Sequence, residues 1–514
     1  MKRSYPGWLG LLLVAGLFSG CGSGDGTPAS PAQTNATGRG TLLQSPALRV
    51  TSLNAADLTA ELSASGSGKQ LLQLAGTPKC GVDVYYLQYN TVGGAGEATT
   101  ASGVMLLPNG ATGCSGARPL LLYGHGTTFQ KTYNLADVAN NSEAALLAAM
   151  YTAQGYIVVA PNYAGYDSST LSYHPYLNAD QQAKDMIDSL AAARSQLAQV
   201  TTVSESGKVF VSGYSQGGHV AMATARAMQA AKMTLTASAP ASGPYALTAL
   251  FDAVVLGNVN LGATGFAPLV LTSYQKSYSN AYANPAAIYE AAYAGSAETI
   301  VPNATLDYTD LLAQGKLPQA LFSSTPPAPQ FAAITPPTTP AALAPLFALG
   351  FGANNLLSNA FRLAYLQDAL TNPDGAIPTL STGLPPANPA SALRQDLKLN
   401  DLRNWVPQSP MLLCGGNADP VVYYFNTQII QGFFVGAGAP APLFTVVDVD
   451  SSPTGATDPW ALVKGGFAQT KAATAQAAVA AGAKDGGVAA VTQAYHSMAA
   501  PFCAAAARGF FSQF

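Results

Sequence analysis

The sequence predicts an α/β fold with a mostly parallel central sheet, flanking helices and one inserted helical cap. From residue 119 onward, short and continuously apolar segments alternate with longer segments of helical spacing. That alternation is typical of a parallel sheet covered by helices on both faces. Residues 243–404 interrupt the alternation, which then resumes and continues to residue 449. One sheet, interrupted once, accounts for both observations.

The individual elements follow from the same periodicities. A hairpin is predicted from residues 83–92 and 98–107, which alternate in polarity on either side of a glycine-rich turn. Asn178 is a predicted N-cap for the helix that follows it. The strands are predicted at residues 119–123, 156–160, 208–213, 235–238, 411–414 and 443–449. The helices are predicted at residues 143–154, 179–197, 219–230, 421–433 and 467–481.

The composition describes a weakly charged, folded protein. Of the 514 residues, 48% are hydrophobic and only 10% are charged, and the net charge is −3 with no basic run. Such a chain lacks the cationic surface that neutralises phosphates, so nucleic acid is excluded as a partner. The predicted core comprises residues 42–242 and 405–514, and residues 243–404 form the cap, in which 323–340 is too rich in proline for regular structure.

The N-terminus resembles a bacterial lipoprotein signal. Lys2 and Arg3 precede an apolar stretch, and Ser19-Gly20 stand directly before Cys21. We therefore predict a signal peptide at residues 1–20, a lipid on Cys21 and a flexible tether over 21–41. The alternative is an ordinary cleaved signal that removes Cys21. The expected location is outside the cytoplasm, anchored in the outer membrane or otherwise secreted or periplasmic.

The segment Gly213-Tyr214-Ser215-Gln216-Gly217 has the G-x-S-x-G form of a nucleophile elbow. Small residues beside the serine permit a strained strand-to-helix turn that presents the hydroxyl. Here the motif follows an apolar strand and precedes a run of helical spacing, as that turn requires. Ser215 is the predicted nucleophile, and a structural glycine-rich turn is the alternative.

A serine hydroxyl needs an imidazole that accepts its proton, and in this arrangement the histidine follows the serine and the acid in the sequence. His125 and His174 precede Ser215, and His219 lies only one helical turn after it. Elimination leaves His496, beyond the last predicted strand, where we expect a catalytic loop. An exposed loop histidine is the alternative interpretation.

The third member of such a triad is a carboxylate that orients the imidazole. Asp419 follows the strand at 411–414 through a turn-forming segment, which suits a side chain projecting from the carboxyl end of a strand. Asp448 and Asp450, at the end of the following strand, are its competitors.

An oxyanion intermediate requires two backbone N–H donors. Gln216, directly after the nucleophile, is predicted to supply one, and Thr127 in the glycine-containing loop after an early strand is predicted to supply the other. We expect His125 to structure that loop rather than to catalyse. The sequence contains no metal-ligand spacing and no dinucleotide-binding motif in a βα context, so no metal and no cofactor are predicted.

Four cysteines remain after Cys21, an even number that predicts two disulfides in an exported chain. Of the three possible connectivities we favour Cys80–Cys114 and Cys414–Cys503. The first pair flanks the predicted hairpin. The second would connect the predicted acid loop to the segment that follows His496.

Four segments resemble the secretory-lipase-like branch of the α/β-hydrolases. They are Tyr123-Gly124-His125-Gly126-Thr127, Val158-Val159-Ala160-Pro161-Asn162-Tyr163, the run from Gly213 to Gly218, and the run from Ala239 to Tyr245. The resemblance implies an α/β-hydrolase fold, a cap inserted after the sixth strand, and esterase or lipase activity.

The leading functional hypothesis is therefore a serine carboxylic ester hydrolase that acts through an acyl-enzyme on Ser215. Its substrate would be a small-molecule or polymeric ester. A serine peptidase could use the same three residues, and a surface binding module on the same fold is the non-enzymatic alternative.

Overall fold

The structure, a computed structural model, describes residues 38–110, 113–374, 383–455 and 457–514. The strands are β1 (Leu48–Leu53), β2 (Gly81–Val92), β3 (Ala98–Asn109), β4 (Gly116–Gly124), β5 (Ile157–Pro161), β6 (Val203–Tyr214), β7 (Ala237–Ala241), β8 (Phe322–Ser323), β9 (Phe351–Gly352), β10 (Met411–Gly415) and β11 (Phe444–Asp448). The helices are α1 (Ala55–Ser63), α2 (Gly66–Ala75), α3 (Ser142–Met150), α4 (Ala179–Leu197), α5 (Gln216–Ala230), α6 (Leu247–Val255), α7 (Ala263–Tyr278), α8 (Ala291–Ala294), α9 (Tyr308–Ala313), α10 (Ala344–Ala348), α11 (Asn359–Thr371), α12 (Ala392–Asn400), α13 (Phe425–Gly436), α14 (Ala461–Ala480) and α15 (Val488–Phe511).

A nine-stranded sheet organises the described part of the chain, in the order β1-β2-β3-β5-β4-β6-β7-β10-β11. The six strands from β5 to β11 in that row pair in parallel, and β1, β2 and β3 add an antiparallel edge. The predicted hairpin is β2 and β3, which pair from Gly81–Asn109 to Val92–Ala98. The predicted fold class is confirmed.

Both faces of the central strands are buried, because helices cover each one. Every residue of β5 is buried, and alternate residues along it belong to two apolar clusters: Val158 packs in one, and Ile157 and Val159 pack in the other. This explains why the central strands are continuously apolar in the sequence. The helix α4 begins as predicted, since the Asn178 side chain accepts a hydrogen bond from the Gln181 N–H.

The segment between β7 and β10 contains α6 to α12 and the short pair β8 and β9. Apart from Tyr176 and Leu177, the fully buried members of its apolar cluster all lie within residues 243–404. Buried Arg394 connects α12 to α6 and α11, because its guanidinium contacts Asp252 at 2.6 Å and Asp368 at 3.0 Å. The insert therefore has a core of its own. Its exact bounds stay a prediction.

The N-terminal part differs from the prediction in two ways. The sequence pattern predicts no element between residues 42 and 82, where the structure has β1, α1 and α2. Arg39 Nε donates to Asp188 at 3.0 Å and the Gly40 N–H to the Asn90 carbonyl at 2.8 Å, so packed structure begins before the predicted tether boundary at residue 41. The predicted signal peptide and Cys21 lie outside the described residues. Within those residues no helix is long and apolar enough to cross a membrane.

Candidate active site

The turn between β6 and α5 holds Ser215 in a strained conformation. Its φ is 62° and its ψ is −124°, which non-glycine residues rarely adopt. The glycines of the motif permit this turn, since a Cβ on Gly217 would collide with the carbonyl groups of Gly124 and His125. The geometry is that of a nucleophile elbow, with the serine raised above the carboxyl end of the sheet.

Asp419 and His496 form a hydrogen-bonded pair. Asp419 Oδ2 lies 2.6 Å from His496 Nδ1, and its Oδ1 accepts from the N–H groups of Val421 at 2.9 Å and Val422 at 3.1 Å. The Asp419 carboxylate accepts a hydrogen bond from His496 Nδ1, so Nδ1 carries the ring hydrogen. The other ring nitrogen, Nε2, then presents its lone pair. Nε2 is buried and has no hydrogen-bond partner among the described residues. This is the tautomer that a general base requires.

His496 lies on α15 and not in a loop, which corrects the sequence-based expectation. The helix runs from Val488 to Phe511, so His496 lies in its first half. It is rich in alanine and continues through Pro501. Tyr214, next to Ser215, donates its hydroxyl hydrogen to the His496 carbonyl at 2.6 Å, and the two rings are 5.0 Å apart. No hydrogen bond joins Ser215 to His496 in the described structure; such contacts are often longer in a free enzyme and tighten with substrate.

The competing carboxylates have other contacts. Asp448 accepts from the side-chain amide of Asn417 at 2.7 Å. Asp450 accepts from the Tyr495 hydroxyl at 2.7 Å and pairs with Lys471. Neither contacts His496, so among the three candidates the structure brings only Asp419 to the imidazole.

The loop at residues 124–128 lies beside Ser215. A Cβ placed on Gly126 would be 3.8 Å from the Cβ of Ser215. The backbone N–H groups of Thr127 and Gln216 have no acceptor within the described residues. An oxyanion hole requires two such free donors next to the serine, and the assignment of these two N–H groups to that role stays a prediction.

The other three histidines are enclosed. Burial lowers the pKa of His125 and of His219 to about 4, and that of His174 to about 3. The His125 ring lies 2.7 Å from the Gly126 carbonyl and stacks on Tyr163 at 4.1 Å. These rings stay neutral near pH 7 and are held in place, which favours structural roles for them.

An apolar pocket opens beside Ser215 and encloses about 810 Å³, including its open part. The insert supplies most of its lining. The lining residues from outside the insert are Tyr176, Leu177, Ser215, Gln216, Val421 and Val422. Residues from the insert include Leu250, Phe251, Val254, Ala267, Leu271, Phe361 and Tyr365. No sequence motif marks these residues, because apolar residues that line a pocket have no characteristic spacing.

Both disulfides in the structure are the pairs favoured from the sequence. Cys80 is bonded to Cys114 beside the hairpin, and Cys414 of β10 to Cys503 of α15. The second bond joins the strand that precedes Asp419 to the helix that carries His496. No group of three or more potential metal ligands occurs in the part of the chain that the structure describes.

Comparisons with known proteins place this geometry in a family. The chain matches the secretory lipase family over residues 129–296. A crystal structure of the rice cell wall degrading esterase LipA from Xanthomonas oryzae is 30% identical, with a TM-score of 0.62, and the match covers 83% of this chain and 94% of that chain. The chain belongs to the secretory-lipase-like branch of the α/β-hydrolases.

Two further solved structures share the fold. The ligand-bound form of the same esterase is also 30% identical, covers the same shares and has a TM-score of 0.63. A candidate hydrolase from Legionella pneumophila is 18% identical over 91% of this chain and 96% of its own, with a TM-score of 0.59, which shows the fold alone. No curated protein sequence matches significantly. This α/β-hydrolase is a carboxylic ester hydrolase, and its family and disulfides indicate an exported protein.

Proposed function

We propose that the protein hydrolyses carboxylic esters through an acyl-enzyme on Ser215, with His496 as general base and Asp419 as the acid that orients it. The observation that carries the proposal is the pairing of His496 Nδ1 with Asp419 at 2.6 Å while Nε2 stays without a partner. An imidazole held in this way can accept the proton of a serine hydroxyl.

The reaction then proceeds in two halves. The Ser215 oxygen attacks the ester carbonyl carbon as its proton moves to His496 Nε2, and the N–H groups of Gln216 and Thr127 stabilise the oxyanion. The carbon–oxygen bond to the alcohol breaks, and the alcohol leaves with the proton from His496. Water, deprotonated by His496, attacks the acyl-enzyme, the acid departs and Ser215 regains its proton.

The apolar pocket supports an aliphatic or aromatic acyl group as the substrate part that is recognised. Each methylene group that enters the pocket contributes about 0.8 kcal/mol to binding by leaving water. We therefore expect kcat/KM to rise from acetate toward longer acyl chains until the pocket is filled.

Purified protein and its Ser215→Ala variant, assayed on p-nitrophenyl esters from acetate to palmitate, test the proposal. We expect turnover by the unmodified protein and a loss of about 10³-fold or more in the variant. A fluorophosphonate should label the former and not the latter. Equal activity of the two proteins would remove Ser215 from the mechanism, and turnover of amides in preference to esters would favour the peptidase alternative.

We also propose that a lipid on Cys21 anchors the mature protein to the outer membrane. The Ser19-Gly20-Cys21 sequence supports it. Metabolic labelling with a radioactive fatty acid should mark the protein and not a Cys21→Ala variant. Unlabelled protein released into the medium would instead support an ordinary cleaved signal.

A further inference from the structure

A carboxylate that the proposed mechanism does not use contacts the loop at residues 124–128. Glu143, in the first turn of α3, accepts hydrogen bonds from the Gly126 N–H at 3.1 and 3.3 Å. The hydroxyl groups of Tyr123 at 2.9 Å and Tyr133 at 3.1 Å also donate to it. Three donors within residues 123–133 hold this side chain, so its position behind the loop is fixed.

In space, Gly126 lies between the Glu143 carboxylate and Ser215. A Cβ placed on Gly126 would lie 3.9 Å from Glu143 Oε2 and 3.8 Å from the Cβ of Ser215. Glycine has no intrinsic preference for a single backbone conformation. The contacts made by the loop must therefore set its conformation.

Two contacts together fix the direction of the Thr127 N–H. Glu143 holds the N–H of Gly126, and His125 Nδ1 lies 2.7 Å from the Gly126 carbonyl. His125 Nε2 is farther from its own carbonyl neighbour, that of Asn162, at 3.2 Å, so we assign the single hydrogen of the neutral ring to Nδ1, which donates it to the Gly126 carbonyl. The Thr127 N–H belongs to the same planar peptide as that carbonyl and points the opposite way. Tyr176 contacts Thr127 Oγ1 at 2.9 Å and holds the next side chain. With Gly126 held at both ends, the Thr127 N–H keeps a single direction.

We propose that Glu143 is a positioning residue of the oxyanion hole: by holding the Gly126 N–H, its carboxylate aims the Thr127 N–H at the developing oxyanion. This inference rests on the proposed function. Glu143 does not touch the substrate. Its effect is on the transition state, because the oxyanion forms only there.

Burial raises the pKa of Glu143, and the hydrogen bonds from Tyr123, Gly126 and Tyr133 act against that rise. The three donors therefore favour the ionised form, which accepts from all of them. Removing one of these donors therefore weakens the position of the Glu143 carboxylate without removing the carboxylate itself.

The test is a Glu143→Gln variant of the full-length chain, with Glu97→Gln as the matched control. Glutamine keeps the size of the side chain but replaces one accepting oxygen by an NH₂ group. Glu97 also accepts from a tyrosine hydroxyl and a backbone N–H, those of Tyr173 at 2.8 Å and Ala95 at 2.9 Å, but in the turn between β2 and β3. The control thus loses the same kind of contact away from Ser215.

We expect Glu143→Gln to lower kcat on a p-nitrophenyl ester by about 10- to 100-fold, with KM within about twofold, because an oxyanion donor is misdirected and not removed. Inhibition by a trifluoromethyl ketone, whose adduct with Ser215 carries an oxyanion, should weaken by the same factor as kcat/KM. Glu97→Gln should change both quantities by less than about twofold.

A Tyr133→Phe variant covers the case in which Glu143→Gln does not fold. It removes one donor to Glu143 and keeps the ring that packs 4.6 Å from His125. We expect kcat to fall by about two- to tenfold at unchanged KM. Wild-type kcat in the folded variants, or a loss through KM alone, would overturn the inference while the proposed function stood. An inactive wild-type protein that a fluorophosphonate does not label would overturn both.

Discussion

Different interactions hold the two walls of the proposed active site. On the catalytic wall, formed by the Ser215 turn, the loop at 124–128 and the Asp419–His496 pair, hydrogen bonds fix the positions of single atoms. On the insert wall, apolar side chains of α6, α7 and α11 enclose a volume. Hydrogen bonds weaken steeply with geometry, whereas apolar contact scales with area. Changes in the first wall should therefore alter the rate for every ester, and changes in the second should alter which ester is preferred.

The largest expected effect is on the catalytic wall. His496→Ala and Asp419→Asn should each lower kcat/KM by about 10³- to 10⁴-fold, because the base is lost or held in the wrong tautomer. The loss should be the same for short and long acyl esters. Steady-state kinetics across the ester series measures it.

Asp450→Asn is the matched control, since Asp450 was a competing candidate for the acid. Its carboxylate contacts Tyr495 and Lys471, so we expect a loss of less than about tenfold. A loss as large as that of Asp419→Asn would show that the acid has been assigned to the wrong residue.

The second prediction concerns how the insert wall is held together. Arg394→Met should lower the free energy of unfolding by about 3–5 kcal/mol, because Asp252 and Asp368 would remain buried without their cation. Arg194→Met, which breaks the more exposed pair with Glu205, should cost about 1 kcal/mol or less. Urea unfolding of both variants gives the comparison. A loss of about 1 kcal/mol or less for Arg394→Met would mean that the buried contacts of Arg394 do not stabilise the insert.

The third prediction concerns the volume of the pocket and the preference for acyl chain length. Ala267 is a small residue of α7 that lines the pocket, so Ala267→Phe should reduce the space for long acyl chains. We expect kcat/KM for long esters to fall by about 10- to 100-fold relative to acetate, with acetate itself little changed. Ala472→Phe, on an exposed position of α14, is the control. An equal loss on all esters would place Ala267 on the catalytic wall instead.

The same contrast explains what the sequence could predict. Nucleophilic catalysis needs particular residue types in a particular order, so Ser215, Asp419 and His496 could be selected from a motif and by elimination among four histidines. The parallel strands were predictable because burial on both faces makes them continuously apolar. The two disulfides followed from their neighbourhoods.

Other features of the structure could not be predicted from the local sequence. The α15 helix around His496 was expected to be a loop, because the assignment rested on the usual place of the histidine and not on helical periodicity. Glu143 contacts Gly126 across 17 residues, and Tyr176 contacts Thr127 across 49. The pocket residues are spread over the insert and share only their apolar character. Such contacts arise from tertiary packing, which spacing along a chain does not encode.

The smallest expected effect is that of a polar group within the insert. Asp396 of α12 is buried, its Oδ2 has no hydrogen-bond partner among the described residues, and its Oδ1 receives one contact, from Asn280 at 3.3 Å. Burial raises the pKa of Asp396 to about 7, far above its ordinary value. Between those two values the folded state holds a proton that the unfolded state has lost, so stability falls as pH rises toward 7 and stays low above it.

Asp396→Asn removes this titration. The variant should be more stable than the wild type by on the order of 1 kcal/mol at about pH 9, and the gain should shrink as the pH falls below the pKa of the folded state. Urea unfolding at alkaline and mildly acidic pH measures the difference. A gain that does not depend on pH would show that the carboxyl does not titrate as stated.

Because Asp396 belongs to the insert and does not line the pocket, kcat of Asp396→Asn should be unchanged. A loss of rate on all esters would contradict the division between the two walls.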